Sequence, residues 1–121
     1  MARASQENAA VDETAVNDVR LVGRLAGPAR VIALPSGDDL HTFRIVVART
    51  PSAHSKQKVD ALECAVWAPG VARRVLRWGT GDVVEVTGAV RRRFYKTPVG
   101  AASRVEIEVA KARRITRAPV A

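Results

Sequence analysis

Five short stretches alternate apolar with polar residues, and a single helical period stands between the third and the fourth. That order predicts an all-β domain, a five-stranded OB-fold barrel with one short helix between strands 3 and 4. Two compositional facts agree. A length of 121 residues suits one domain with a real core, and an apolar fraction of 47% is that of a folded globule rather than a disordered chain. On pattern alone the rival is another small five-stranded barrel or a half-open roll.

Met1 to Val16 is polar, alanine-rich and without a sustained period, so residues 1–16 are expected to form a disordered leader, 17–115 the folded domain and 116–121 a short tail. In the first strand Val19, Leu21, Gly23 and Leu25 share one parity and Arg20, Val22 and Arg24 the other. Ala26-Gly27-Pro28 bends it, and extended structure resumes from Arg30 to Leu34 before the turn Pro35-Ser36-Gly37-Asp38. The second strand is Thr42 to Arg49, with Phe43, Ile45 and Val47 on one face. Residues 50–58 are polar, cationic and pattern-free, and read as a hairpin loop. Val59 to Trp67 is the third strand. Leu62, Cys64 and Val66 form its core set, which sends Trp67 to the opposite face with Ala61, Glu63 and Ala65.

Pro69 suits a first helical turn, and Val71, Val75 and Trp78 then recur at helical spacing up to Gly79, making Trp78 a core residue. Gly79-Thr80-Gly81-Asp82 is a turn. The fourth strand runs from Val83 to about Arg93, Thr97 to Gly100 turns the chain, and the last strand runs from Arg104 to about Arg114, where Val105, Ile107 and Val109 alternate with Glu106 and Glu108.

Lys and Arg total 20 against 12 acids, a net charge of +8, and residues 1–16 hold one cation against three acids, so the remainder carries +10. Such a balance favours a polyanionic partner. The single cysteine, Cys64, cannot form an internal disulfide and reads as a core residue in a reducing compartment. With neither a run of ~18 apolar residues nor an export signal, the protein is expected to be cytoplasmic, with no membrane partner. His41 and His54 are far apart, without metal-ligand spacing to Cys64, and are expected in loops or at the surface. Asp38-Asp39 lies in a turn. With no phosphate loop and no nucleophile motif, no enzyme, metal or cofactor is expected.

Gly88 to Lys96, read Gly-Ala-Val-Arg-Arg-Arg-Phe-Tyr-Lys, carries the chemistry. A strand delivers three arginines and two aromatic rings to one place, and single-strand binders combine cations for phosphates with flat faces for bases. If Val84, Val86 and Val90 face the core, Arg91, Arg93 and Tyr95 face a groove, and Phe94 is the packing candidate between Arg92 and Lys96. The candidate nucleic-acid-binding residues are Trp67, Tyr95, Arg91 and Arg93, then Arg92, Phe94 and Lys96, with Arg49 from the end of the second strand and Lys56 and Lys58 from the loop. A solvated, charged strand end with rings tucked beneath a loop accounts for the same cluster without any ligand.

The sequence resembles the bacterial single-stranded DNA-binding protein family over Asn17 to Ile115. The resemblance rests on Asn17-Asp18-Val19-Arg20-Leu21-Val22-Gly23-Arg24-Leu25, on the Pro35-Ser36-Gly37 turn leading to Phe43-Arg44-Ile45-Val46-Val47-Ala48, on Cys64-Ala65-Val66-Trp67, on Gly81-Asp82-Val83-Val84-Glu85-Val86-Thr87-Gly88 and on Val105 to Val109. It implies an OB-fold, usually a homotetramer, that coats exposed DNA strands in replication, recombination or repair without sequence preference. It also implies that Trp67 and Tyr95 stack on bases and that Arg91 and Arg93 contact the backbone. The chain departs from the family in three ways: Ala61 replaces a tryptophan six positions before Trp67, the 50–58 loop has no aromatic, and Glu63 stands where a cation or neutral residue is usual. At ~1–3 kcal/mol per stacked base, two absent platforms weaken binding by about a hundredfold or more. The end Arg117-Ala118-Pro119-Val120-Ala121 has no acidic tip of the kind that recruits partner proteins, so a short or paralogous member is expected and its protein partners stay open. A protein-interaction or accessory OB module, and an RNA-binding one, remain the alternatives.

Overall fold

The computed structural model describes residues 13–120, so most of the expected leader, residues 1–12, lies outside the described residues. The elements are β1 (Val19–Leu25), β2 (Arg30–Ala33), β3 (Asp39–Ala48), β4 (Val59–Val66), α1 (Pro69–Val75), β5 (Val83–Thr97) and β6 (Gly100–Thr116). They form one sheet in the order β1-β5-β6-β4-β3-β2, closed on itself by a further β1–β3 pairing. β1 and β2 lie antiparallel to the same strand, Leu25 opposite Ile45 and Arg30 opposite Thr42. They are two halves of one first strand, bent where Gly27 and Pro28 interrupt the alternation. The result is the five-stranded OB barrel with its single short helix.

Closure is narrow on both sides. β1 meets β3 through Arg24–Val46 and Leu25–Ile45, and β4 meets β6 in parallel through Cys64–Ile107 and Ala65–Glu108. Strands this sharply coiled need room for their own backbones. A Cβ on Gly23 would stand 2.4 Å from the Val46 carbonyl oxygen, and one on Gly88 would stand 1.9 Å from that of Glu108. Both glycines are therefore required by close approach. Ala110 is an extra residue on β6, because Thr87 pairs with Lys111 while Gly88 pairs with Val109. This bulge reverses the inward parity of β6: Ile107 and Val109 face the core on one side of it and Ala112 on the other.

The core is built from inward residues of every barrel strand, among them Leu25, Ile45, Val66, Val84 and Val86, all at most 1% exposed. Each contributes about 1.5–3 kcal/mol in burial. α1 plugs one end. Pro69 occupies its first turn, Ala72 and Val75 are buried, and regular helix stops at Val75, short of the predicted Gly79. A tighter turn, with the Trp78 N–H donating to the Val75 carbonyl at 3.1 Å, carries Trp78 inward. There its ring meets Phe43 edge-on at 5.6 Å. Cys64 is a free, buried thiol whose pKa is pushed up to about 12 by burial first, and then by the charges of Glu63 and Glu106. Asp82 ties the barrel to the C-terminal segment: its carboxylate accepts the Gly79 N–H at 2.8 Å and the Ala118 N–H at 2.7 Å.

Three expectations need correction. β3 begins at Asp39, so His41 is a half-buried strand residue opposite Val66 rather than a loop or surface residue, and its Nδ1 is buried without a hydrogen-bond partner. β5 and β6 continue to Thr97 and start at Gly100, making a two-stranded arm well beyond the predicted ends near Arg93 and Arg104. From Val90 to Thr97 this arm extends about 23 Å at the usual strand rise. Phe94 keeps the parity of Val84 and Val86, yet it is 73% exposed. It lies past the point where the barrel ends, so nothing covers that face.

Candidate nucleic-acid interface

Paired residues of neighbouring strands project on the same side of a sheet, so the register defines the face that holds the candidate residues. On β5 it comprises Ala89, Arg91, Arg93 and Tyr95. These stand opposite Glu108, Glu106, Arg104 and Ala102 of β6. Ala65 of β4 lies beside Glu108, and Glu63 is paired with Arg44 of β3. One face thus crosses four strands, with carboxylates in its middle and arginines on both flanks.

Trp67 follows β4 directly and is 41% exposed, pointing away from the core as its parity predicts. It lines an open groove of about 800 Å³ together with Arg20, Arg91, Glu108 and Lys111. The structure therefore brings Trp67 and Arg91 together although 24 residues separate them. Asn17 fastens the chain entry beside the groove: its side-chain amide donates to the Val90 carbonyl at 2.8 Å and its oxygen accepts the Val90 N–H at 2.9 Å. This pair satisfies a backbone segment of β5 just where the groove opens.

The groove arginines are not free. Arg91 Nε donates to Glu108 at 3.2 Å and Arg93 Nε to the buried Glu106 at 3.2 Å, while Arg44 Nε donates to Glu63 at 2.6 Å. The Arg104 guanidinium lies over the Tyr95 ring, 5.6 Å from its centre, so one face of that ring already carries a cation–π contact. Arg104 also helps line a second cleft of about 630 Å³, with Arg30, Arg44 and Glu63, beside the β2–β3 arm. A third cleft of about 420 Å³ lies between α1 and β6, lined by Arg74, Glu85, Lys111 and Arg113. Glu85 sits between Arg113 at 2.7 Å and Arg20 at 2.6 Å, and the Arg113 hydrogen bond above all holds its carboxyl below the usual range.

The remaining sequence candidates fall elsewhere. Arg92, Phe94 and Lys96 occupy the other side of the arm, and Arg92 donates to Ser103 Oγ at 3.0 Å. Arg49, Lys56 and Lys58 lie at the far end of the β3–β4 hairpin, about 30 Å along β4 from Trp67 at the usual strand rise. Arg49 is engaged there by Asp60 at 2.9 Å. Arg20, Arg44, Arg104 and Lys111 were missed by sequence reasoning. All are outward members of their strands, but only the register says which outward residues converge. Among the described residues, no group of three His, Cys, Asp or Glu side chains is placed to hold a metal.

Comparison with known proteins bears on the family and the fold. The family model described as "Single-strand binding protein family" matches residues 16–115. A single-stranded DNA-binding protein of Streptococcus pyogenes serotype M3 is 31% identical over 87 residues, covering 70% of this chain and 53% of the relative. Single-stranded DNA-binding protein 1 of Streptococcus agalactiae serotype III is 30% identical over the same share of each chain. The chain spans about half the length of these curated relatives. Among solved structures, a Plasmodium falciparum SSB complex with ssDNA superposes with a TM-score of 0.67 at 20% identity, covering 84% of this chain and 95% of that one, and so shares the fold.

Proposed function

The chain belongs to the single-strand binding protein family, and on that premise we propose that it binds single-stranded DNA without sequence preference, through residues 17–115. The observation that carries the reading is the shared groove of Trp67 and Arg91, continued along the same strand face by Arg93 and Tyr95. Bases stack on the two exposed rings, and phosphates replace the carboxylates now held by Arg91 and Arg93. The arrangement involves no bond making or breaking. Its place is the protection of exposed strands in replication, recombination or repair, in the cytoplasm at the nucleoid, and the active form is a homotetramer.

Titration of oligo-dT by tryptophan fluorescence across a NaCl series tests this. Quenching is expected, with affinity falling as salt rises at a log–log slope of about −0.7 per phosphate neutralised. Trp67→Ala and Tyr95→Ala are each expected to weaken binding by ~5- to 150-fold, the equivalent of about 1–3 kcal/mol per lost stack. Absence of quenching together with absence of salt dependence refutes the proposal. Equal affinity of the Trp67→Ala, Tyr95→Ala double variant refutes the stacking mechanism.

A further inference from the structure

The β5–β6 arm has two faces, and their chemistry differs. The groove face carries Arg91, Arg93, Arg104 and Tyr95, but also Glu106 and Glu108, and its arginines are paired with those carboxylates. The other face carries Val90, Arg92, Phe94 and Lys96 from β5, opposite Ile107, Val105, Ser103 and Ala101 of β6. No carboxylate belongs to that set. Among the described residues Arg92 bonds only a neutral hydroxyl and Lys96 has no carboxylate partner. Between these two cations the Phe94 ring is 73% exposed, with Val105 half exposed beside it. A ring left open to water between two uncompensated charges complements a ligand that is both anionic and flat.

We infer that this second face of the arm is a separate binding surface for single-stranded nucleic acid, so that one chain holds two strand segments, one on each side of the hairpin. Arg92, Phe94 and Lys96 alternate along β5 at about 6.8 Å per step, an interval close to that between successive phosphates of a stretched single strand. Arg92 and Lys96 are thus two such intervals apart, about 13.6 Å, so they take phosphates two nucleotides apart while a base from the span between them lies on Phe94, whose apolar ring accepts any base. Strand alternation sends these three residues away from Arg91, Arg93 and Tyr95, so a segment on one face cannot reach the other without passing round the arm. The inference rests on the single-strand reading of the groove and extends it to two simultaneously held segments.

The test is stoichiometry with an oligo-dT of about six nucleotides, near the lower end of OB-fold site sizes. Bound oligonucleotide per chain is counted by sedimentation with a labelled oligomer, a ratio that holds in any oligomeric state. Wild-type protein is expected to saturate at two per chain. The Arg92→Ser, Phe94→Ser, Lys96→Ser variant is expected to saturate at one with Trp67 quenching retained, and Phe94→Ser alone to weaken the second site about tenfold. Wild-type saturation at one per chain with normal Trp67 quenching overturns this inference and leaves the groove reading standing. Two per chain in the triple variant overturns it as well. So does a change of solution mass in that variant with its stoichiometry unaltered, which assigns the face to a contact between protein chains. Saturation at zero removes both readings.

Discussion

Replacing Glu108 by glutamine removes a charge that competes with the ligand for Arg91, and the structure sets the size of the effect. The Glu108 carboxylate is 3.2 Å from Arg91 Nε, both side chains are about half exposed, and both line the groove beside Trp67. Breaking an exposed pair of this kind costs between 0 and ~1 kcal/mol. A phosphate seated on Arg91 would also stand about 6 Å from the carboxylate, a repulsion of about 0.7 kcal/mol in bulk water and several-fold more at a drier surface, reduced again by salt. Together these predict that Glu108→Gln tightens oligo-dT binding by ~1 kcal/mol, about fivefold, at low salt. Because Arg91 is then no longer neutralised by a neighbouring carboxylate, seating a phosphate on it releases one further counterion from the strand, the log–log salt slope steepens by about 0.7, and the advantage shrinks as NaCl is raised. Fluorescence titration of both proteins across one salt series measures affinity and slope together. Unchanged or weaker binding, or a parallel slope, would refute the claim that β6 carboxylates hold the groove arginines in reserve.

Two further predictions concern the scaffold. Gly88→Ala places a Cβ against the backbone of Glu108 and Val109, which has no flexible end to yield, so thermal melting should report a loss of roughly 3 kcal/mol; a variant that melts with the wild type shows that the β5–β6 contact is not needed. The Asp82 carboxyl is held below its ordinary value of 3.8 first by the Ala118 N–H and next by the Gly79 N–H. Its stabilisation is present above that value and is lost as pH falls through the lowered one, so Asp82→Asn should reduce stability at neutral pH and flatten the acid limb of a pH–melting curve, and parallel curves would contradict this.

How much was legible beforehand depended on how local the governing physics is. Helical spacing places Trp78 in the core and strand parity places Trp67 outside it, and the structure has both there even though regular helix ends before Trp78. The bend at Ala26-Gly27-Pro28 and the turn at Thr97 to Gly100 were equally visible, because glycine and proline act on their own backbone. Phe94 shows where that reasoning stops. Alternation gives its side of the strand, but parity names a side and not what lies on it, and the arm outruns the barrel before residue 94. The ends of β5 and β6 were underestimated for a related reason: Arg91 to Lys96 has no apolar alternation, and cross-strand pairing with 101–106 holds it extended instead.

The candidate interface divides along the same line. Its chemistry is a property of residue types in order, and Trp67, Arg91, Arg93 and Tyr95 could be selected from the chain because alternation and side-chain character are set within a few residues. The partners of these groups are not local. Glu106, Glu108 and Arg104 reach the face only because β6 pairs with β5 in one register, which the Ala110 bulge adjusts midway along the strand. Composition and period determined the barrel, the basic groove and its aromatic side chains. Only the tertiary structure decided that the groove arginines are already paired, that Arg49, Lys56 and Lys58 stand apart, and that Phe94 faces water, since each depends on where distant strands start, stop and meet.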